Sequence, residues 1–406
     1  MTYAESIDWL FSTQMFGIKL GLDGPRRLLK EFLAYPKHGV TVIHVAGTNG
    51  KGSTCAMIDS IARACGRRTG LFTSPHLIDF RERIQVSGQE VPEDDVAAGL
   101  TELRAICQKL DPHPTFFEIT LTLAMRWFRD RDCEMIILET GMGGKLDATT
   151  AVPADIAVIT PIGLDHTQWL GETLELVAAE KAGIFVAGKP AISSPQDPAA
   201  REVLEKEANA QRSPLEFVTE PLLGYGIALP GEHQAWNAAL AVATLYRIGL
   251  PMGTDSIRHG LAKVNWPGRF EIRQHENRTI ILDGAHNPHA ANVLATTWRG
   301  QFPDRKPVLL FSAVASKDIA GVLEILAPLA SQIFLCPVDT PRATPVEEIA
   351  ATLPGGSPPH ENFPNFPAAF AAALATGEPI LIAGSLFLIG EARAFFTAAT
   401  FQPSTQ

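Results

Sequence analysis

Short runs of consecutive apolar residues alternate along this chain with longer stretches whose apolar positions recur at helical spacing. Val42–Val45 is one such run; it opens on a glycine-rich loop and then on the helix-patterned STCAMIDSIARACG. GLFTS follows a GRR turn, and MIILET, IAVIT and PAISS are further short β-rich runs. Segments such as LELVAAEKAGIF, which read as helical, separate them. This alternation predicts parallel βαβ units with helices on both faces of a sheet. Ligands of such sheets sit beyond the carboxyl ends of the strands. Thr48, Thr73, Glu139 and the turn from Thr160 to His166 all fall at or just past such ends.

The helical HQAWNAALAVATLYRIG closes the first half, and NWPGRF (Asn265–Phe270) supplies a Pro/Gly break suited to a hinge or linker. A second alternation follows in TIILDGAHNP, PVLLFSAV, QIFLCPV and PILIAGS. The pattern therefore predicts an α/β protein of two domains with a boundary near residue 270. FPAAFAAALATG reads as a plain surface helix, and no internal repeat is present.

Composition adds limits. A chain of 406 residues is long for one hydrophobic core, which agrees with two domains. Net charge −10 and pI about 5.6 argue against sequence-independent nucleic-acid binding, which needs clustered positive charge. A locally basic pocket could still take a small anion. The five cysteines, Cys55, Cys65, Cys107, Cys133 and Cys336, are scattered and form no CxxC pair, so they read as reduced small hydrophobes. The N-terminus has no basic leader before an apolar run, and PILIAGSLFLIG is too short to span a bilayer. A soluble cytoplasmic protein without nucleic-acid or membrane partners is expected.

The loop in VIHVAGTNGKGSTC fails the common phosphate-loop spacing. Val45 stands where the first glycine belongs, and Gly52 separates Lys51 from Ser53. A glycine-rich turn between strand and helix nevertheless aims backbone N–H groups and the helix's positive end at one point. Lys51 adds a mobile charge, and Ser53 and Thr54 add hydroxyls for phosphate or Mg²⁺. The bland alternative is a tight turn with a solvated lysine. Glu139 ends an apolar strand, where a carboxylate is costly unless paired or bound to a cation. Ser74, before Pro75, reads by itself as a turn residue. Asp165 and His166 follow another strand, with a structural role and a metal role both open for the histidine. Lys181 reads from local physics as an exposed helix lysine. Asp283 and His286 sit at a strand end in LDGAHNP, and Ala383–Ser385 forms another strand-to-helix turn.

In order, HVAGTNGKGS, TSPHL…ERI, ETGMGGKLDAT, LDHTQWLG…EKAGIF, WPGRFE, LDGAHNP, KDI, TPRA and GSL resemble the folylpolyglutamate synthase/dihydrofolate synthase family of Mur-type ATP-dependent amide ligases. The strings span nearly the whole chain, and the short phosphate loop with its extra glycine is the family's form. The resemblance implies a Mur ligase-like pair of domains. Residues 1–270 would be a P-loop, mostly parallel sheet domain with the pterin or folate site; 271–406 would be a smaller Rossmann-like domain. It assigns Thr48, Asn49, Gly50, Lys51, Gly52, Ser53 and Thr54 to the ATP phosphates, and Asn237, Arg269 and Asp283 to adenine, phosphate and ribose. Ser74 and Glu139 would hold one Mg²⁺, His166 would help hold a second, and Lys181 would be carbamylated. Lys51, Lys181, His166, Asp283 and His286 form the implied catalytic set. Ile18, Lys19, Phe117, Lys145, Asp147 and Ser385 fall on the substrate side.

The implied reaction is amide synthesis from ATP, L-glutamate and a dihydropteroate or reduced folate carboxylate through an acyl phosphate. Lys145 stands where many members have Arg, Thr150 where Asn is common, and Lys19 where dihydropteroate-accepting enzymes carry an acid. Dihydrofolate synthesis, polyglutamate extension or both therefore stay open. A peptidoglycan-type Mur ligase needs a further domain ahead of the loop, and 46 residues precede Gly47. An inactive nucleotide-binding regulator is the rival from another class; intact Lys51, Glu139, His166 and Lys181 argue against it. A monomer is expected.

Overall fold

The computed structural model describes residues 1–17, 19, 21–315 and 317–403. They form two compact units. The first comprises Met1–Pro75, Arg81–Ile227 and Trp236–Val264; the second comprises His76–Phe80, Ala228–Ala235 and the chain from Asn265 onward.

The first unit is built on a sheet of eight strands among the described residues: β1 (Thr41–Ala46), β2 (Thr69–Phe72), β3 (Ile84–Val86), β4 (Gln89–Glu90), β5 (Met135–Glu139), β6 (Ile156–Ile159), β7 (Ala191–Ser193) and β8 (Leu215–Phe217). Their order is β4-β3-β2-β5-β1-β6-β7-β8. From β2 to β8 all neighbours are parallel. β2, β5 and β6 are buried throughout, which is why they are continuous apolar runs rather than alternating ones. Register then aligns their carboxyl ends. Val45 pairs with Glu139, Ala46 with Ile159, and Phe72 with Leu138. Thr73, Glu139, Gly47 and Thr160 consequently share one edge of the sheet.

The second unit carries β9 (Glu271–His275), β10 (Arg278–Leu282), β11 (Val308–Phe311), β12 (Gln332–Leu335), β13 (His360–Asn362) and β14 (Ile380–Ala383), in the order β13-β12-β11-β14-β10-β9. The expected α/β class, with a larger and a smaller mostly parallel sheet, is what forms. Antiparallel margins are added to it. β3 and β4 form a hairpin across Ser87 and Gly88 (φ 50° and 78°), and β9 and β10 one across Glu276 and Asn277 (φ 48° and 61°). Two successive positive φ values give the turn whose twist matches paired strands. No described helix is long and apolar enough to cross a membrane.

The helix Phe366–Ala375 corrects the expectation of a plain surface element. Phe366, Ala369, Phe370 and Ala373 lie on one buried stripe and join the core that contains Leu310, Phe334 and Ile382. Phe370 also meets Phe366 and Phe396, with ring centroids 5.6 and 5.1 Å apart. An alanine-rich helix hides such a stripe, because alanine suits either face. Phe370→Ala is expected to cost about 3–5 kcal/mol in denaturant unfolding. A loss below about 0.5 kcal/mol would return the helix to the surface.

Candidate active site

β1 delivers the chain to Gly47, whose φ of 151° and surroundings admit no side chain. A Cβ there would lie 1.8 Å from Thr160 Oγ1 and 3.0 Å from its carbonyl oxygen. Gly50, at φ 83°, precedes the helix Lys51–Ala64, and a Cβ on it would sit 2.9 Å from Asn237 Oδ1. Both glycines therefore allow close approach by the neighbouring turn and by the buried Asn237. The Thr48 and Asn49 amides donate to Pro161 O at 2.9 and 3.3 Å, and Thr48 Oγ1 donates to Gly163 O at 2.8 Å. Those two residues thus hold the loop in shape. The amides of Lys51, Gly52 and Ser53 precede the helix's first internal bond, Thr54 N–H to Gly50 O, and so form its positive end. Thr54 Oγ1 is buried there with no hydrogen-bond partner.

Two lysines converge on the same loop. Lys51 Nζ donates to Gly47 O and Thr48 O at 3.2 and 3.3 Å, and Lys181 Nζ donates to Gly47 O at 2.8 Å. Lys181 is 4% exposed, so it is not the solvated helix lysine that local physics suggests. Burial, with the Lys51 charge added, pushes its ammonium down to about 7; Asp165, Asp147 and Glu180 act the other way. One strand over, Glu139 is 5% exposed and its Oε2 accepts from Ser74 N at 3.0 Å.

Two further charges in this region were given no role from the sequence. Asp165 bears on Lys181, as above. Arg83 is fully buried with its guanidinium 5.1 Å from the Phe116 ring centroid. Burial holds it down to about 9, while Glu82 and Glu139 oppose that. His166, at φ 53°, opens the short helix Thr167–Leu170; its backbone N–H donates to Asp165 Oδ1 at 2.8 Å. Among the described residues no group of three or more His, Cys, Asp or Glu is arranged to hold a metal ion. One buried carboxylate with Ser74 beside it is a sparse donor set. It fits a hard cation that completes its shell with phosphate oxygens and water.

On the proposed substrate side, the loop Gly141–Asp147 is wedged between two elements. A Cβ on Gly141 would lie 2.8 Å from Phe117 Cζ, and one on Gly144 would lie 2.5 Å from Glu180 O. Phe117 itself meets Phe72 edge-on at 5.6 Å. Lys145 N donates to Glu180 O at 2.8 Å, leaving its side chain exposed. Asp147 is buried and braces the loop. Its Oδ2 accepts from Met142 N at 2.9 Å, and its Oδ1 accepts from Thr149 N at 3.0 Å and from the Thr149 hydroxyl. Burial raises its pKa against those bonds. Exposed Lys19 donates to His113 O at 2.6 Å and lies 5.4 Å from the Phe16 ring centroid. Ile18 lies outside the described residues.

The second unit gathers Arg269, Asp283, His286 and Ser385 at the neighbouring ends of β10 and β14, where Leu282 pairs with Ile382. Asp283 is buried; Oδ2 accepts from Phe270 N at 2.8 Å and Oδ1 from Ala285 N at 2.9 Å. Burial raises its pKa, with the Arg269 charge opposing. His286 Nδ1 is 2.7 Å from Gly284 O, so that nitrogen carries the proton. Ser385 caps the helix Leu386–Thr397, accepting from Phe387 N at 3.1 Å.

Residues 45–245 match the Mur ligase middle domain, and residues 268–386 match the Mur ligase glutamate ligase domain. Dihydrofolate synthase/folylpolyglutamate synthase of Escherichia coli K12 is 36% identical over 95% of this chain and 93% of its own length. A probable bifunctional folylpolyglutamate synthase/dihydropteroate synthase of Haloferax volcanii is 33% identical over 98% of this chain, which spans about half (51%) of that relative. Among solved structures, E. coli FolC in complex with DHPP and ADP aligns with TM-score 0.88 and 32% identity, covering 98% of this chain and 99% of that one. The bifunctional folylpolyglutamate synthase/dihydrofolate synthase with Mn, AMPPNP and L-glutamate bound aligns with TM-score 0.86 and 31% identity, covering 97% and 98%.

Proposed function

The chain belongs to the Mur ligase family, in its folylpolyglutamate synthase/dihydrofolate synthase branch, and from that premise we infer how its residues divide the work of an ATP-dependent glutamate ligase. The acceptor is a dihydropteroate or folate carboxylate. Its oxygen attacks the γ-phosphorus of ATP, the bond to the bridging oxygen breaks, and ADP leaves an acyl phosphate behind. The glutamate amine then attacks the acyl carbon, loses a proton and expels inorganic phosphate.

The observation that carries this reading is the meeting of the Lys51 and Lys181 amines at Gly47 O, one strand from buried Glu139. Lys51 and the helix amides that follow would grip the triphosphate and hold it in line for attack. Asn237, Arg269 and Asp283 would take the adenine, phosphate and ribose, and His286 would belong to the catalytic set. Phe117, Lys145 and the Asp147-braced loop would face the acceptor, and Ser385 the substrate in the second unit. Two Mg²⁺, held by Ser74, Glu139, His166 and a carbamylated Lys181, would neutralise charge where carboxylate and triphosphate repel. Lys181 suits carbamylation because its unprotonated nitrogen can attack the CO₂ carbon and release a proton, leaving an anion on a buried side chain. We place the protein in the cytoplasm as a monomer.

The test is phosphate release with ATP, Mg²⁺ and L-glutamate, comparing dihydropteroate with reduced folates and weighing the products. One phosphate for each product heavier by one glutamyl group is expected. No turnover with any of these acceptors would leave the nucleotide-binding regulator as the better reading.

A further inference from the structure

His44 lies inside β1, three positions before Gly47, and is 1% exposed. Its Nε2 is 2.7 Å from Thr149 Oγ1, across 105 positions of sequence. The Thr149 hydroxyl has one proton and directs it to Asp147 Oδ1. Nε2 must then donate to Thr149, which fixes the histidine as the Nε2–H tautomer. Burial keeps the ring neutral, with its pKa lowered to about 3. Asp147 in turn accepts the Met142 and Thr149 amides, and so shapes Gly141–Asp147. Gly144 of that loop packs on the backbone of Lys181, whose amine returns to Gly47 O. The contacts close a ring from β1 through the loop and back to β1.

We propose that His44 is a positioning residue for the acceptor. Through Thr149 and Asp147 it ties the Gly141–Asp147 loop to the strand that feeds the phosphate loop. The direction of each bond matters, because a carboxylate only accepts and the hydroxyl has one proton to give. Removing the imidazole N–H strips the Thr149 oxygen of the donor that holds it in place, so the bond that its hydroxyl gives Asp147 is held less firmly. Within the phosphate loop Thr48 and Asn49 have their own anchors at Pro161 and Gly163; Gly47 O alone is shared with these contacts, through Lys181, and it also accepts from Lys51. The effect on substrates rests on the assignment of the loop to the acceptor; the effect on the loop does not.

The experiment compares wild type, His44→Phe, His44→Gln and Thr149→Val. His44→Phe is expected to raise the acceptor KM about tenfold, the scale of one buried hydrogen bond, and to leave the ATP KM within about twofold. His44→Gln places an amide N–H near the Nε2 position and should restore most of the acceptor KM. Hydrogen exchange read by mass spectrometry should quicken across 141–149 in His44→Phe and stay unchanged across 47–54. Equal rises in both KM values, an unmoved acceptor KM, or exchange unchanged in 141–149 would each overturn the proposal. Should His44→Phe not fold, Thr149→Val is read by the same criteria. Loop exchange that responds while wild type turns over none of the acceptors would uphold the tether and sink the acceptor assignment instead.

Discussion

Lys51→Ala is expected to abolish ADP formation, lowering turnover by about a thousandfold or more. In the protein alone the Lys51 ammonium rests on two backbone carbonyls, Gly47 O and Thr48 O. Neither contact holds the loop together, since Thr48 and Asn49 are tied to Pro161 and Gly163, and Gly47 O keeps its bond from Lys181. Alanine at 51 should therefore leave the thermal midpoint within a few degrees while removing the mobile charge proposed to follow phosphate as it transfers. Lys51→Arg should fail as well, because a planar guanidinium cannot replace a compact ammonium turned back over a tight loop. A coupled ADP assay beside a thermal melt separates the two effects. Turnover near wild type in Lys51→Ala would remove the residue from the mechanism, and a collapsed melt would make it structural.

The strands at the centre of each sheet were legible because burial on both faces leaves only apolar residues. The margins were not. β9 alternates half-buried and exposed positions, and its turn uses Glu276 and Asn277 rather than a glycine pair. Nor does a break at NWPGRF indicate that His76–Phe80 and Ala228–Ala235 join the second unit. Lys51 was legible from the loop around it. Lys181 was legible by resemblance alone, although a local signal existed. Val177 and Ala178, four and three positions earlier, lie on the buried stripe of its helix, and Lys181 continues it. His44 had such a signal, since it stands inside the apolar run Val42–Val45, but its partner Thr149 lies 105 positions away and nothing local names it; Arg83 gave none, because what buries it comes from distant parts of the chain.

Lys181 carries the second large effect. Lys181→Met should lower turnover at least about a hundredfold, yet raise stability at neutral pH. The sign follows from linkage. The folded-state pKa, about 7, lies below the ordinary 10.5, so between these values the unfolded chain binds more protons than the folded one. Stability due to this group therefore rises with pH across that window, and the cost of burying the amine is fully present below about 7. Methionine fills similar volume, removes that cost, and leaves Gly47 O its bond from Lys51. A gain of about 1 kcal/mol at pH 7 is the scale found when a functional site is relieved of a costly group. On the proposed carbamylation, the same pKa is expected to shape the activity profile. Only the unprotonated amine can capture CO₂, so bicarbonate-dependent turnover should fall as pH drops through about 7. Short carboxylates added to Lys181→Ala should restore part of the rate by standing where the carbamate would. A Lys181→Met protein that is less stable than wild type at pH 7 would refute the burial argument. Turnover indifferent to bicarbonate, with no rescue of Lys181→Ala, would refute the carbamate and leave Lys181 as a buried amine shaping the loop.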